Sequence, residues 1–336
     1  MSKDDYILHL KVVSSIPNDN TSDKPNFCVG THSGMHHCDE TVGTAIIMNL
    51  VSYMHIFENI YVVRTRKENE LRKCNIWIDC GGGIFDHHKP GFDKKRKSGT
   101  TYASAGLVWK ELGKLLIIQI MKDMELIDSL IEDVETIFDD IDRWYIEPID
   151  AEDNGEVIER KNIMFNTIEL YRPSFKEELY GFPDYDAAFE RALISAIDTI
   201  DNLIRKRISE LYTEKIIDAR LDGISNHILP IPSDLMPWQD YVCYLNEVKH
   251  KRIYFVKFPH STGEWAVQCV PPSIEEKNKQ IVPFPKTWKG LTATLPEVSG
   301  VETATFCHNN LFFARAKSEK DADELCIKAM MMANIM

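Results

Sequence analysis

Short runs of β-branched and aromatic residues alternate with helix-period segments through the first 160 residues, and this alternation leaves few architectures open. "FCVG" (27–30), "NIYVVRT" (59–65) and "CNIWIDC" (74–80) read as strands. "ETVGTAIIMNLVSYMHIF" (40–57) reads as a largely buried helix. "YASAGLVWKELGKLLIIQIM" (102–121) is a second helix whose small residues suit close packing at its start. Strands separated by helices predict βαβ units and an α/β fold with a mainly parallel sheet flanked by helices. Ligands gather at the carboxyl ends of strands in such sheets. Chemistry is therefore expected in residues 31–40, after the first strand, and in residues 79–88, after the third.

The rest of the chain has a different character. Residues 124–146 are helical and acidic, "PIDAEDNGE" (148–156) breaks that pattern, and a long helix runs from about Tyr185 to Leu221. Beyond it, "HILPI", "KRIYFVKF", "EWAVQCV" and "TATFCHN" are strand-like and separated by turn residues, and a final helix covers about 319–332. This predicts two domains, 1–221 with the helical connector and 222–336 as a smaller α+β domain with a more antiparallel sheet. The length of 336 residues suits two domains.

Composition excludes several classes. The formal net charge of −13 argues against a general nucleic-acid coat, because nonspecific affinity comes from Lys and Arg on phosphates. It leaves open an enzyme that meets phosphate through bound metal, whose ligands are themselves acidic. Eight cysteines form no CxxC and no regular framework, so they read as reduced thiols of an intracellular protein. No apolar run approaches the about 18 residues of a membrane span. The N-terminal "MSKDDYILHLKVVSSIPNDN" has neither a signal-peptide core nor the arginine-rich pattern of a mitochondrial transit peptide. Cytoplasm or nucleus is the expected location.

Three clusters carry the chemistry. In "THSGMHHCDE" (31–40), His32, His36, His37, Asp39 and Glu40 offer five ligand groups in nine residues, in a chain with eleven histidines. A turn at Gly34 would let His32, His37 and Asp39 face one point. In "IWIDCGGGIFDHHKPGF" (76–92), Asp79 ends a strand and Asp86, His87 and His88 follow a glycine triplet. In "DAEDNG" (150–155), Asp150 and Asp153 sit beside turn chemistry. Singly, each has a plain reading: a hydrogen-bonded surface histidine, a capping aspartate, a turn former. The triplet is no dinucleotide fingerprint, since no GxGxxG opens a helix. Jointly, three His/Asp clusters at strand-end loops of one sheet indicate a metal site. Carboxylates with imidazoles and no convincing thiolate suit Mn²⁺, Mg²⁺, Fe²⁺ or Zn²⁺. Four or more aspartates favour two divalent ions, which in phosphoester hydrolysis lie roughly 3.5–4 Å apart.

These motifs resemble the DHH phosphoesterase superfamily, and more closely the Myg family, described as metal-dependent RNA exonucleases. The resemblance rests on "GTHSGMHHCDE" (30–40), "VVRTR" (62–66), "DHH" (86–88), "SAGLVW" (104–109), "DAEDNG" (150–155), "PWQDYVCYLNE" (237–247), "WAVQCVP" (265–271), "WKGL" (288–291) and "VSG" (298–300), and so covers nearly the whole chain. It implies that His32, His37 and Asp39 form the first metal motif, that Asp79 bridges the ions, and that Asp86, His87 and Asp150 complete the set. Asp86, His87 and His88 are the implied catalytic residues, with the two histidines dividing ligand and phosphate-positioning roles. His36 falls outside the implied ligands, and Asp153 is a ligand or holds the turn. Relatives carry a glycine-glycine-histidine element after the last strand. Here "HNNLFFARAKSE" (308–319) puts Ala314, Arg315 and Ala316 in its place.

Arg64, Arg66, His308 and Arg315 are the expected substrate-binding residues, the first two as phosphate clamps at the edge of the sheet. "KPGFDKKRK" (89–97) reads as a flexible loop that secondarily attracts phosphate. The leading expectation is a metal-dependent phosphodiesterase acting on single-stranded RNA from the 3′ end. The alternatives are a hydrolase of small phosphorylated nucleotides such as a dinucleotide, or of pyrophosphate, and a metal-bound binding protein without turnover. Pairing into a homodimer is left open, and no membrane partner is expected.

Overall fold

A computed structural model describes residues 10–17, 24–157, 163–181 and 183–335. Much of the N-terminal stretch read for targeting signals lies outside them. The chain divides into two compact units, Met1–Ile208 and Ser209–Met336. Among the described residues no helix is long and apolar enough to cross a membrane.

The first unit is built on four parallel strands, β1 (Leu10–Val13), β2 (Phe27–Thr31), β3 (Ile60–Arg64) and β4 (Ile76–Trp77), in the order β1-β3-β2-β4. Every residue of β3 is buried, as an inner parallel strand covered on both faces requires. Helix α1 (Cys38–Met54) is buried from Cys38 through Ser52 and packs on α2 (Ser104–Asp123). The approach is close because α1 offers Gly43 where α2 offers the Ala105 backbone: a Cβ at 43 would lie 3.6 Å from Ala105 Cα.

The strand expected over 74–80 is much shorter. After Trp77 only Ile78 continues the pairing, through an isolated parallel bridge to Phe85, and Asp79 adopts φ +55°. That left-handed residue, followed by Gly81 and Gly82 at φ +64° and +73°, turns the chain back on itself. "DAED" also differs from expectation. After α3 (Val134–Ile141) a π-helical turn (Asp142–Ile146) leads directly into α4 (Glu147–Asp153). Pro148 falls in the first turn of α4, where its missing N–H costs little, so it starts a helix and the turn comes later, at Asn154–Gly155. A long helix, α5, spans Tyr185–Asp218.

The second unit holds a mixed sheet in the order β5-β6-β7-β9-β8: β5 (Ile228–Pro230), β6 (Phe255–Pro259), β7 (Trp265–Cys269), β8 (Ala304–Cys307) and β9 (Phe313–Ala316). Only the β5–β6 pair is parallel. Helix α6 (Gln239–Glu247) covers Val256, Phe258 and Ala266 on one face, and α7 (Glu319–Met332) covers Phe255, Val267, Ala314 and Ala316 on the other. Strands β1 and β9 and helix α6 were not legible as elements: each is short, and α6 lies within the polar, aromatic "QDYVCYLNE".

Gly106, in the first turn of α2, tests how tightly these elements meet. Its N–H donates to Asp150 Oδ1 (2.9 Å), and a Cβ there would lie 1.8 Å from Asp150 Oδ2. Gly106→Ala is expected to lower stability by about 3 kcal/mol or more in denaturant unfolding, through overpacking plus loss of a buried hydrogen bond. Gly223→Ala, whose Cβ meets nothing nearer than 3.9 Å, should stay within about 0.5 kcal/mol of the parent.

Candidate metal centre

The centre lies at the carboxyl ends of β2 and β4, and the first wall comes from the loop between β2 and α1. His32 follows the last residue of β2. His37 is the N-cap of α1, and its backbone N–H is taken by Glu40 at 2.7 and 2.9 Å, so the helix start fixes the Glu40 carboxylate. The His32 ring lies 5.4 Å from that of His37, and its Nε2 is 3.2 Å from Glu40 Oε1 and 3.5 Å from Asp79 Oδ2. Burial opposes a charge on His32, but Glu40 and Asp79 outweigh it and raise the imidazole above its ordinary value.

The second wall is the returning chain after β4. Asp86 is a local organiser: Oδ2 accepts from Gly82 N–H (2.8 Å) and Oδ1 from His88 N–H (2.9 Å). Closing that turn aims both histidines at Asp79. Asp79 Oδ1 lies 3.3 Å from His87 Nδ1 and 3.2 Å from His88 Nε2. Burial would push the Asp79 carboxyl up, and the two imidazoles reverse this and hold it well below the carboxylate range. His88 keeps 64% of its side chain exposed, so it is the member that faces solvent.

The third wall is α4. Asp153 Oδ2 lies 3.0 Å from His87 Nε2. Asp150, on the same helix, points elsewhere: it accepts from Arg96 Nη1 (2.7 Å) and from Gly106 N–H. Burial pushes the Asp150 carboxyl up to about 8, with the guanidinium and the amide pulling against it. Ser104, the first residue of α2, joins the second wall to itself. Its hydroxyl donates to Asp79 Oδ1 (3.0 Å), and its oxygen is 3.1 Å from His87 Nδ1.

Three overlapping groups have the spacing of a metal site among the described residues: His32, His37, Glu40 and Asp79; Asp79, His87 and His88; and Asp39, His87 and Asp153. Asp39 supplies the test of fit. It is 1% exposed, no hydrogen bond of ordinary geometry reaches either carboxylate oxygen, and the His87 Nδ1 lies 3.9 Å from Oδ2. Burial, then the charges of Asp79 and Asp153, push its carboxyl well above the ordinary range. A buried carboxylate without donors is costly unless a cation meets it. Imidazole and carboxylate donors without thiolate fit a divalent cation of the Mg²⁺, Mn²⁺, Fe²⁺ or Zn²⁺ type.

The sequence model of MYG1_exonuc, described as "Uncharacterised protein family (UPF0160)", matches residues 28–330. The chain belongs to this family. It is 30% identical to MYG1 exonuclease of Mus musculus over 318 residues, covering 84% of this chain and 80% of the mouse protein. It is 27% identical to the Homo sapiens MYG1 exonuclease over 328 residues, covering 88% and 83%. A MYG1 protein of Saccharomyces cerevisiae is 27% identical over 329 residues, covering 88% and 93%. Membership supports a hydrolase of the nuclease or phosphoesterase class, and the His/Asp/Glu groups are consistent with a divalent metal.

Within this MYG1-family centre, the expected residues divide clearly. His32, His37, Asp39, Asp79, His87 and His88 come together. Asp86 and Asp150 do not join the metal-spaced groups; Asp86 closes the turn and Asp150 is held by Arg96. Asp153 and Glu40 stand where Asp150 was expected to contribute. Arg64 cannot serve as a phosphate clamp: it is 1% exposed, donates to Tyr185 O, Asp186 Oδ1 and Gly34 O, and lies over the Phe189 ring. Arg66 is exposed and donates from Nε to Ser33 O (3.2 Å), beside His32. His36 is fully buried, with Nε2 3.3 Å from Ile168 O. His308 and Arg315 belong to the second unit. The basic run 89–97 is no simple loop, because Arg96 is buried against Asp150 and Asp142 while Lys94, Lys95 and Lys97 are exposed. Sequence reading missed Ser104 and Arg96. A serine opening a helix just after the DHH motif was the available signal for the first; the second was hidden in a charged run.

Two measurements check this geometry. Asp153→Asn should weaken Mn²⁺ binding in calorimetric titration by more than about 10-fold. Asp150→Asn should bind Mn²⁺ like the parent while losing about 3 kcal/mol of stability, because it breaks a buried ion pair. The second concerns pH. Asp153 and Asp79 outweigh burial and push His87 up to about 10. A raised imidazole stabilises the fold fully below its unfolded value of about 6.5 and loses that contribution as pH rises toward 10. Melting of the metal-free protein should therefore fall from pH 6.5 to 10, less so in His87→Gln. Mn²⁺ affinity should rise over the same window as the competing proton leaves.

Proposed function

We propose that this chain is a metal-dependent phosphodiesterase that releases nucleotides from the 3′ end of single-stranded RNA and holds two divalent ions. The observation that carries the reading is the Asp39 carboxylate, buried and reached by no hydrogen bond of ordinary geometry between His87, Asp79 and Asp153. The relatives named exonuclease support the nucleic-acid class. Two ions are supported by the overlap of the groups, which share Asp79 and His87 and together bring more carboxylates than one ion can use. His32, His37, Glu40 and Asp79 would hold one, and Asp39, Asp79, His87 and Asp153 the other. Bound there, divalent ions supply Lewis acidity, lowering the pKa of water and neutralising charge on the phosphoryl oxygens.

The chain's own residues do the rest. His88 is exposed and held by Asp79, which raises its imidazole above the ordinary value. It is thus poised to donate to a non-bridging phosphate oxygen. Arg66, tethered to the Ser33 carbonyl, offers a second positive group at the mouth. Asp86 and Ser104 keep His87 and His88 aimed while substrate enters. A small phosphorylated nucleotide would meet the same groups, and the length of the substrate accepted separates it from RNA.

The experiment reloads metal-free protein with Mn²⁺ or Mg²⁺ and offers labelled single-stranded RNA, single-stranded DNA, a dinucleotide and pyrophosphate. Mononucleotides should leave the RNA 3′ end, and Asp39→Asn should slow that release more than about 100-fold, beyond the 10–100-fold of a merely supporting residue. Cleavage of the dinucleotide alone would replace the RNA reading with the small-substrate one. Elemental analysis finding no more than one tightly held ion would end the two-ion assignment.

A further inference from the structure

On the face of the second sheet covered by α6, the helix reaches Val256, Phe258 and Ala266, Phe313 packs against the edge of that cluster 6.4 Å from Phe258, and the β8 end beyond it is left to side chains of its own. Those side chains form a row. The His260 ring lies 6.0 Å from Phe313, Phe313 lies 6.2 Å from Phe306, Phe306 lies 6.3 Å from His308, and His308 lies 4.5 Å from Phe312. The Arg315 guanidinium sits 5.1 Å over the Phe306 ring. All six side chains are half-buried, whereas Phe255, Phe258, Phe284, Trp238 and Trp288 of the same unit are buried to 3% exposure or less. A row that merely filled the core would be covered like those.

We propose that this aromatic row stacks the bases of single-stranded nucleic acid. The proposal deepens the nucleic-acid reading above and is tested apart from it. Every base presents a π-face, and successive bases pile on aromatic rings and guanidinium planes irrespective of sequence. Arg315 is suited to a planar partner. Its Nη1 donates to Glu264 Oε2 (2.7 Å) and Thr262 Oγ1 (3.2 Å), while its Nε is buried without a partner. Glu264 offsets the charge of Arg315, so the row favours bases over phosphates. Exposed Lys286 and Lys289 lie on the 284–291 segment, which is bonded to both ends of the 307–311 turn through Cys307 N–H to Leu291 O (3.0 Å) and Phe284 N–H to Leu311 O (2.9 Å). Residues 209–336 carry 14 Lys and Arg against 16 Asp and Glu, so this unit is close to neutral by itself.

The test uses the full chain in EDTA, where turnover cannot interfere, and reads fluorescence anisotropy of a labelled single-stranded heptanucleotide RNA. An abasic ribose-phosphate chain of equal length is the comparator. The RNA should bind at least about 10-fold more tightly than the abasic chain. Stacking contributes about 1–3 kcal/mol per base, so Phe306→Leu and Phe312→Leu should each weaken RNA binding about 5- to 150-fold, and Phe306→Tyr should retain it. Leucine keeps the apolar area without the π-face. If Phe306→Leu fails to fold, Phe312→Leu at the turn carries the same comparison. Equal affinity for RNA and the abasic chain, or leucine variants that bind like the parent, overturns the proposal. Hydrolysis of RNA by the parent with no effect of either leucine variant removes the row and leaves the proposed function standing. Base-dependent binding without hydrolysis in any divalent ion does the reverse.

Discussion

Carboxylate burial at one end of a parallel sheet is the constraint on which the rest of the first unit depends. Asp39, Glu40, Asp79, Asp86 and Asp150 are each 5% exposed or less. A buried carboxylate needs donors or a cation, because its desolvation costs several kcal/mol. The chain answers the demand differently at each position. Asp86 takes two backbone N–H groups, Glu40 takes the His37 N–H, Asp150 takes Arg96 and the Gly106 N–H, and Asp79 takes imidazoles and the Ser104 hydroxyl. Asp39 alone of these accepts no hydrogen bond of ordinary geometry on either oxygen. The contrast sets Asp39 apart from its neighbours, each of which is met by the protein's own donors, and is consistent with a cation at this position.

Holding such a group together requires the backbone to give way at defined points. Asp79 adopts a left-handed conformation that a non-glycine residue adopts at some cost, and it is kept there by Ile78 pairing with Phe85 on the returning chain. The turn is then locked by Asp86, so strain at Asp79 and satisfaction at Asp86 are two ends of one device that delivers His87 and His88. On the far side, Arg96 ties α4 to the segment after the DHH motif through Asp150 and to the π-helical turn through Asp142. Arg96 thereby holds α4, which carries Asp153, without itself touching a metal-spaced group.

The parallel sheet and the loops bearing the site were legible in sequence because they rest on short-range signals: β-branched runs, helical period, and clustered His and Asp at strand ends. The α+β character of the second part was legible for the same reason. What escaped depended on partners distant in sequence. Asp150 and Asp153 are three residues apart and chemically equal. Which one faces His87 is decided by Arg96, 54 residues upstream of Asp150, and by whether Pro148 starts a helix or breaks one. Arg64 ends a strand at the expected edge, but Asp186 and Phe189 of α5 enclose it. Nothing local to "VVRTR" could reveal that. Gly81 and Gly82 supply left-handed steps that the glycine run makes legible, but Asp79, ahead of the glycines, makes the first one.

Electrostatics then sets the order in which such a site can work. Asp39, Glu40, Asp79 and Asp153 converge on one end of the sheet beside His32, His87 and His88, whose raised imidazoles hold positive charge against them in the absence of cations. Bound divalent ions would displace those protons and carry the positive charge of the centre themselves. The aromatic row of the second unit obeys different physics. Stacking needs neither a cation nor a net positive surface, only exposed π-faces near enough neutrality that the backbone phosphates are not driven off. If both proposals hold, one chain carries a grip whose strength follows metal loading and a second whose strength does not. That division would let a protein with a net charge of −13 meet an anionic polymer.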